Sequence, residues 1–172
     1  MPSQWTFTMA PVKRLFSRYQ VGVGWVDPFS GQTSPAELTN DIEQETAQFH
    51  MDGLEFLSGV LTTSVTGALF DPPYSVIQCL QKYTSKGHGT AGRAEYHAKC
   101  KDQIARIIQV GGLAISFGWD STGIGKKRGF ELLEVLLLCH GACHRDTIIT
   151  IERKLGPLEA RPSTQDTPHY QG

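Results

Sequence analysis

The tetrapeptide Asp71-Pro72-Pro73-Tyr74 directly follows the apolar run Gly67-Ala68-Leu69-Phe70. The run reads as a buried strand, so the tetrapeptide falls where that strand spills into a loop. Each proline fixes its own φ and lacks a backbone N–H, which leaves rigid carbonyls free to accept hydrogen bonds. An acid, stiff carbonyls and an aromatic ring at one strand end form a pocket for a flat, polar ring. Such a pocket suits chemistry on an exocyclic amino group, whose lone pair is delocalised into its ring. Acceptors at the two amine protons favour a more tetrahedral nitrogen and direct that lone pair outward. Three further acids end candidate strands: Asp27 after Gly24-Trp25-Val26, Asp41 after Leu38-Thr39-Asn40, and Asp52 after Phe49-His50-Met51. One acid at a strand end means little, but four converging on one sheet edge read as a site. Ligands of open α/β sheets bind outside the carboxyl ends of the strands.

Holding those acids on one edge requires short strands alternating with helices. Residues 1–20, with Leu15 and Phe16 among Lys13, Arg14 and Arg18, read as an amphipathic lead-in. The folded domain is expected over residues 21–155, and the proline-rich, polar residues 156–172 read as a disordered tail. Ser34-Pro35-Ala36-Glu37 has the form of a helix start, with Ser34 as cap and Pro35 at the first position. It has little room before the strand-like Leu38 to Asp41. Glu43 to Ala47 reads as one helical turn, Gly53 to Leu61 as a short helix and Ser75 to Tyr83 as another. Thr84 to Gly92 reads as a Gly-rich loop. Glu95 to Ile108 is the clearest helix, with Ala98, Ile104, Ala105, Ile107 and Ile108 on one side and Gly111-Gly112 as its stop. Leu113 to Phe117 is an unbroken apolar strand, as in a sheet covered on both faces. Trp119 to Gly129 is a second Gly-rich loop, with Trp119 placed either to meet a substrate or to anchor the loop. Glu131–Cys139 and Thr147–Glu152 suit an antiparallel edge.

At 172 residues and 40% apolar content, the chain can bury the core of one domain. No run approaches the ~18 to 20 apolar residues of a membrane span. Met1-Pro2-Ser3-Gln4 lacks the basic-then-apolar layout of a secretory signal. Cys79, Cys100, Cys139 and Cys143 are scattered and suggest no disulfide framework, so a reducing, cytoplasmic setting is expected. The pairs Cys139-His140 and Cys143-His144 have neither zinc-ribbon nor haem spacing, and no metal is expected. The formal charge of −1 gives no global attraction to nucleic acid. Locally, Lys126-Lys127-Arg128 is the densest positive cluster, and Lys82, Lys86 and Arg93 mark a second. Such clusters suit phosphate contacts, and equally an ordinary solvated surface.

The two acidic motifs together resemble the S-adenosylmethionine-dependent amino-methyltransferases, specifically the adenine-N6 DNA methyltransferases. Asp27-Pro28-Phe29-Ser30-Gly31 is similar to their first cofactor motif and Asp71-Pro72-Pro73-Tyr74 to their catalytic motif. The likeness runs from Trp25 to Lys154. It implies a Rossmann-like class I methyltransferase fold, α/β, with a mostly parallel sheet and an antiparallel C-terminal edge. It further implies S-adenosylmethionine as cofactor, double- or single-stranded DNA as partner, and methyl transfer to adenine N6. On that resemblance Asp71 and the Pro72 carbonyl accept from the target amine, Pro73 completes the rigid turn, and Tyr74 stacks on a base that has left its duplex. Asp27, Pro28 and Gly31 lie near the methionine portion, and Phe29 lines the cleft. Asp41 bonds the ribose hydroxyls, and Asp52, beside Met51, accepts from the cofactor's adenine amino group.

Thr33 stands where the family commonly has a second glycine, and the family's extra recognition region has no counterpart here. Recognition then falls to the two Gly-rich loops with Lys126, Lys127 and Arg128, to a second copy of the chain in a homodimer, or to a partner. RNA adenine and cytosine N4 are alternative acceptors, and a protein glutamine methyltransferase would normally carry Asn in place of Asp71. A non-catalytic DNA-binding subunit is the alternative outside enzymes.

Overall fold

A computed structural model describes residues 6–72, 94–140 and 146–156. Near its start, α1 (Ala10–Arg18) has Pro11 in its first turn, where a missing N–H costs nothing. It is followed by β1 (Trp25–Asp27), β2 (Leu38–Thr39), α2 (Gly53–Gly59) and β3 (Val65–Phe70). The chain continues with α3 (Ala94–Ile107), β4 (Ile108–Gly118), β5 (Phe130–Leu138) and β6 (Thr147–Lys154). The six strands form one sheet in the order β2-β1-β3-β4-β6-β5. The first four are parallel, while β6 is antiparallel to both β4 and β5. A single parallel bridge, Asn40 to Phe49, extends the sheet beyond β2. The mostly parallel sheet with an antiparallel edge is the architecture expected from the sequence.

Alternation along the central strands divides the core in two. Ala68, Phe70 and Ala114 face α2 and α3, where they meet Phe56, Leu57, Ile104 and Ile107. Leu69, Ile115 and Phe117 face the opposite way, onto Val12, Leu15 and Phe16 of α1. At about 25 cal/mol per Å2 of apolar surface removed from water, these two faces are the main source of cohesion. They hold the carboxyl ends of β1, β2 and β3 on one edge.

Two expected helical pieces are absent for the same reason. Ser34 caps no helix: its hydroxyl accepts from the Ala36 amide at 3.4 Å and donates to Asp27 Oδ2 at 2.6 Å. Residues 43–47 form turns, since Asp41 Oδ1 accepts from the amides of Glu43 (2.9 Å) and Gln44 (3.2 Å). A side chain bonded to the backbone two or three residues ahead makes a turn in place of a helix. The stop of α3 also differs from expectation. α3 passes into β4 at Ile107–Ile108 without a loop, and Gly111-Gly112 lie inside the strand. A Cβ at Gly112 would stand 2.7 Å from the Thr66 carbonyl oxygen, so this glycine permits the close approach of β3. Carbonyls at the end of α3 are met by Lys154 Nζ, which donates to Ala105 O and Ile108 O at 2.6 Å each. Such cationic capping satisfies acceptors that have no helical partner.

Candidate active site

Asp27 closes β1 with no exposed surface. Its Oδ1 accepts from the Phe29 amide at 3.0 Å, and its Oδ2 from Ser34. Burial pushes its carboxyl up to about 7 against those two hydrogen bonds, and the charges of Asp71 and Asp41 push the same way. Desolvation penalises the ionised form and like charges add to the penalty. Three of the four acids picked out in the sequence therefore sit close enough on one edge to feel one another.

Asn40, between β2 and Asp41, holds the neighbouring strand ends together. Its Nδ2 donates to Pro28 O and Met51 O at 3.0 Å each, and its Oδ1 accepts from the Met51 amide at 3.1 Å. The adjacent Asp41 pins Gly31, accepting from its amide at 3.1 Å. Asp52 caps α2 by accepting from Leu54 (2.9 Å) and Glu55 (3.2 Å). Its other oxygen accepts from the Tyr96 hydroxyl of α3 at 2.8 Å, and burial drives that phenol's pKa upward. Phe29 lies edge-on to Phe70 at 6.0 Å between ring centroids. It also rests on Gly53, where a Cβ would come within 2.7 Å of the ring. Pro28 is buried, and half-buried Met51 packs against the core beneath Phe56.

Asp71 is half-buried and Pro72 buried at the end of β3. Pro73 and Tyr74 lie outside the described residues, as do Lys82, Lys86 and Arg93. Pro72 borders a cavity of about 140 Å3 shared with Phe70, Lys101, Ser116, Trp119 and Asp120. Lys101 Nζ stands 5.9 Å from the centre of the Phe70 ring. Burial lowers the Lys101 pKa, while the Asp120 charge partly restores it. A larger, mainly apolar cavity of about 510 Å3 lies beside α2, reaching from Met51 to the amino end of β3 at Val65.

The basic cluster stands just before β5. Lys126–Arg128 forms a 3-10 turn just before Phe130, and Phe130 pairs with Lys154 at the end of β6 remote from Gly118. The loop that leads to it touches the site: Gly123 lines the cavity at Pro72, and Lys126 lines a neighbouring hollow with Ser121, Thr122 and Gly125. Arg128 is held within the fold: it bonds Asp102 at 2.6 Å, Ile124 O at 3.1 Å and Ala98 O at 3.3 Å. Lys126 and Lys127 are exposed. The loop before them is fixed by Glu152, whose buried carboxylate accepts from the amides of Ile124 and Gly125.

Asn40, Tyr96, Ser116 and Glu152 were not singled out in the sequence. Only Asn40 carried a signal, as the polar residue just before an acid at a strand end. Among the described residues, no three or more His, Cys, Asp or Glu side chains are grouped to hold a metal ion. No described helix is long and apolar enough to cross a membrane.

No protein-family model and no curated protein sequence matches this chain. Solved structures do. The 1,6-didemethyltoxoflavin-N1-methyltransferase of Burkholderia thailandensis, solved with 1,6-didemethyltoxoflavin and S-adenosylhomocysteine bound, is 10% identical with a TM-score of 0.62. That match covers 90% of this chain and 82% of that one. TrmN from Thermus thermophilus is 14% identical with a TM-score of 0.55, covering 86% of this chain and 50% of its own. A second Thermus thermophilus protein, provisionally described as a DNA modification methylase, is 19% identical over 65% of this chain and 55% of its own. Its TM-score is 0.42. The chain thus spans about half the length of the last two. With six strands in this order and such overlap with the first two structures, the chain has the class I S-adenosylmethionine-dependent methyltransferase fold.

Proposed function

We propose that this protein transfers a methyl group from S-adenosylmethionine to the exocyclic amine of a nucleobase, adenine N6 of DNA in the first place. The observation that carries this reading is the position of Asp71-Pro72 at the end of β3, beside a ring-sized cavity and next to the strand ends bearing Asp27 and Asp41. About 140 Å3 is well below the ~300 to 1,000 Å3 typical of sites for whole drug-sized ligands. It suits one flat ring.

The residues at the neighbouring strand ends fit the cofactor. Asp41 and Asp52 offer acceptors for hydroxyl and amino groups, and Phe29 and Met51 offer apolar surface to a flat ring. When bound, S-adenosylmethionine supplies a methyl group already activated by its positive sulfur. Asp71 and the Pro72 carbonyl then have a positioning task. They would accept from the two amine protons and turn the nitrogen lone pair toward the cofactor's methyl group, and the Asp71 carboxylate would take up the proton that the amine gives up. Correct placement alone can supply ~7 to 11 kcal/mol of a barrier.

A free heterocycle is the second acceptor considered. It is favoured by the net charge of −1 and by the flat ring bound in the toxoflavin methyltransferase.

The test is methyl transfer from labelled S-adenosylmethionine to duplex DNA, single-stranded DNA, RNA and small aminoheterocycles, with nucleoside analysis of the products. Asp71→Ala is expected to abolish transfer while leaving cofactor affinity within a few-fold. Loss of affinity as well, in a folded variant, would remove Asp71 from the target amine.

A further inference from the structure

The cavity beside Pro72 contains one group whose presence the fold does not explain. Ser116 lies on β4 in the otherwise apolar run Leu113 to Phe117, and only 6% of its surface is exposed. Its hydroxyl has no hydrogen-bond partner among the described residues, yet Ser116 lines the cavity. A buried hydroxyl left in that state costs ~1 to 3 kcal/mol relative to a paired one. Two other polar side chains of the cavity are engaged, and His97, on its α3 wall, lies edge-on to Phe70 at 6.2 Å. Asp120 accepts from the Thr122 amide at 2.9 Å and from its hydroxyl, and Lys101 lies over Phe70 within the field of Asp120. Unmet hydrogen-bonding capacity at the wall of a ring-sized cavity points to a group on the ring that enters it.

We infer that Ser116 is a specificity-determining residue, whose hydroxyl donates to the ring nitrogen flanking the target amine. This rests on the methyltransfer reading given above. In adenine the amine-bearing carbon is flanked by N1, with N7 on the adjoining ring. In cytosine it is flanked by N3. All are unprotonated acceptors on the edge that carries the amine. With the amine directed at Asp71 and Pro72, that edge faces β4, and Ser116 supplies the donor it needs. Rotation of the hydroxyl sets where its proton points. Trp119, at the mouth of the same cavity, adds an aromatic wall against which the ring can rest.

A site built to bond one ring nitrogen discriminates against an analogue that lacks it, since the hydroxyl is then buried without a partner. The probe is a short single-stranded oligonucleotide with one adenine, compared with the same strand carrying 1-deazaadenine or 7-deazaadenine there. Affinity is measured with S-adenosylhomocysteine present, and kcat/KM with S-adenosylmethionine. Wild type is expected to favour adenine over one of the two analogues by about ten- to a hundredfold. In Ser116→Ala that ratio is expected to collapse to within about twofold. An unchanged ratio in the variant, equal treatment of all three strands by wild type, or no affinity for the adenine strand overturns the inference. A second arm needs no activity: Ser116→Ala removes a buried, unpaired hydroxyl, so its unfolding midpoint should equal or exceed that of wild type. A lower midpoint overturns the inference by showing that the protein itself satisfies the hydroxyl. Failure of the broader reading looks different, with no methyl transfer to any acceptor whatever the ring analogues do.

Discussion

Asp27→Asn is expected to raise stability near neutral pH and to remove a defined part of its pH dependence. The Asp27 carboxyl is fully buried, and its pKa in the folded chain is about 7 against 3.8 for an ordinary aspartate. Between those values the folded chain holds a proton that the unfolded chain releases, so stability falls as pH rises through the window. The contribution is fully present below pH 3.8 and lost once pH passes about 7. Each pH unit within the window is worth about 1.4 kcal/mol. From pH 5 to pH 8, wild type should therefore lose about 2 to 3 kcal/mol through this group. Asn is isosteric: its oxygen still accepts from Phe29, and its amide can donate to Ser34 in place of the reverse bond. Urea unfolding of both proteins at several pH values isolates the effect, because other titrating groups, Glu152 among them, are common to both. A constant stability difference between pH 5 and pH 8 would refute the reasoning. So would a difference that grows toward low pH in favour of Asn.

Asn40→Leu keeps the volume but removes three hydrogen bonds and leaves Pro28 O and Met51 O without their donor, so a loss of about 2 to 4 kcal/mol in urea unfolding is expected. An unchanged midpoint would show that the strand ends need no such clamp. Replacing Lys126 and Lys127 together by Ala should leave stability intact and, if DNA is the partner, lower the slope of log affinity against log salt by about one to two. Equal slopes would identify the pair as solvated surface only. Arg128→Ala should instead cost about 1 kcal/mol of stability, since its guanidinium ties the loop to α3.

The central strands were legible because burial on both faces leaves near-continuous apolar runs, as in Gly67–Phe70 and Leu113–Phe117, whereas Phe49-His50-Met51 makes only a bridge from Phe49 to Asn40. The helices α2 and α3 were legible from their apolar spacing. What misled were polar residues with two possible uses. Ser34 fits a helix cap by type, but Asp27 is buried too deeply to do without its hydroxyl. Gly111-Gly112 fits a helix stop, but the glycines are needed where β4 passes β3. The acids at the strand ends and their nearby turn contacts could be read locally, whereas one partner comes from afar: Tyr96 reaches Asp52 across 44 positions. Ser116 left no trace at all, since one serine in an apolar strand reads as neutral filler.

The insertion of β6 between β4 and β5 has a consequence for how the chain is made. As residues emerge from the ribosome, β5 is complete at Leu138 while its only neighbour in the sheet is still unsynthesised. Until Lys154 follows, β4 keeps one edge open and β5 has no register, with Leu132, Val135 and Leu137 among its side chains. At ~5 to 20 residues per second, the sixteen residues between Leu138 and Lys154 take roughly one to three seconds. During that interval the nascent chain presents two unpaired strand edges. One hairpin then closes the inner edge, and among the described residues no strand pairs with the outer edge of β5.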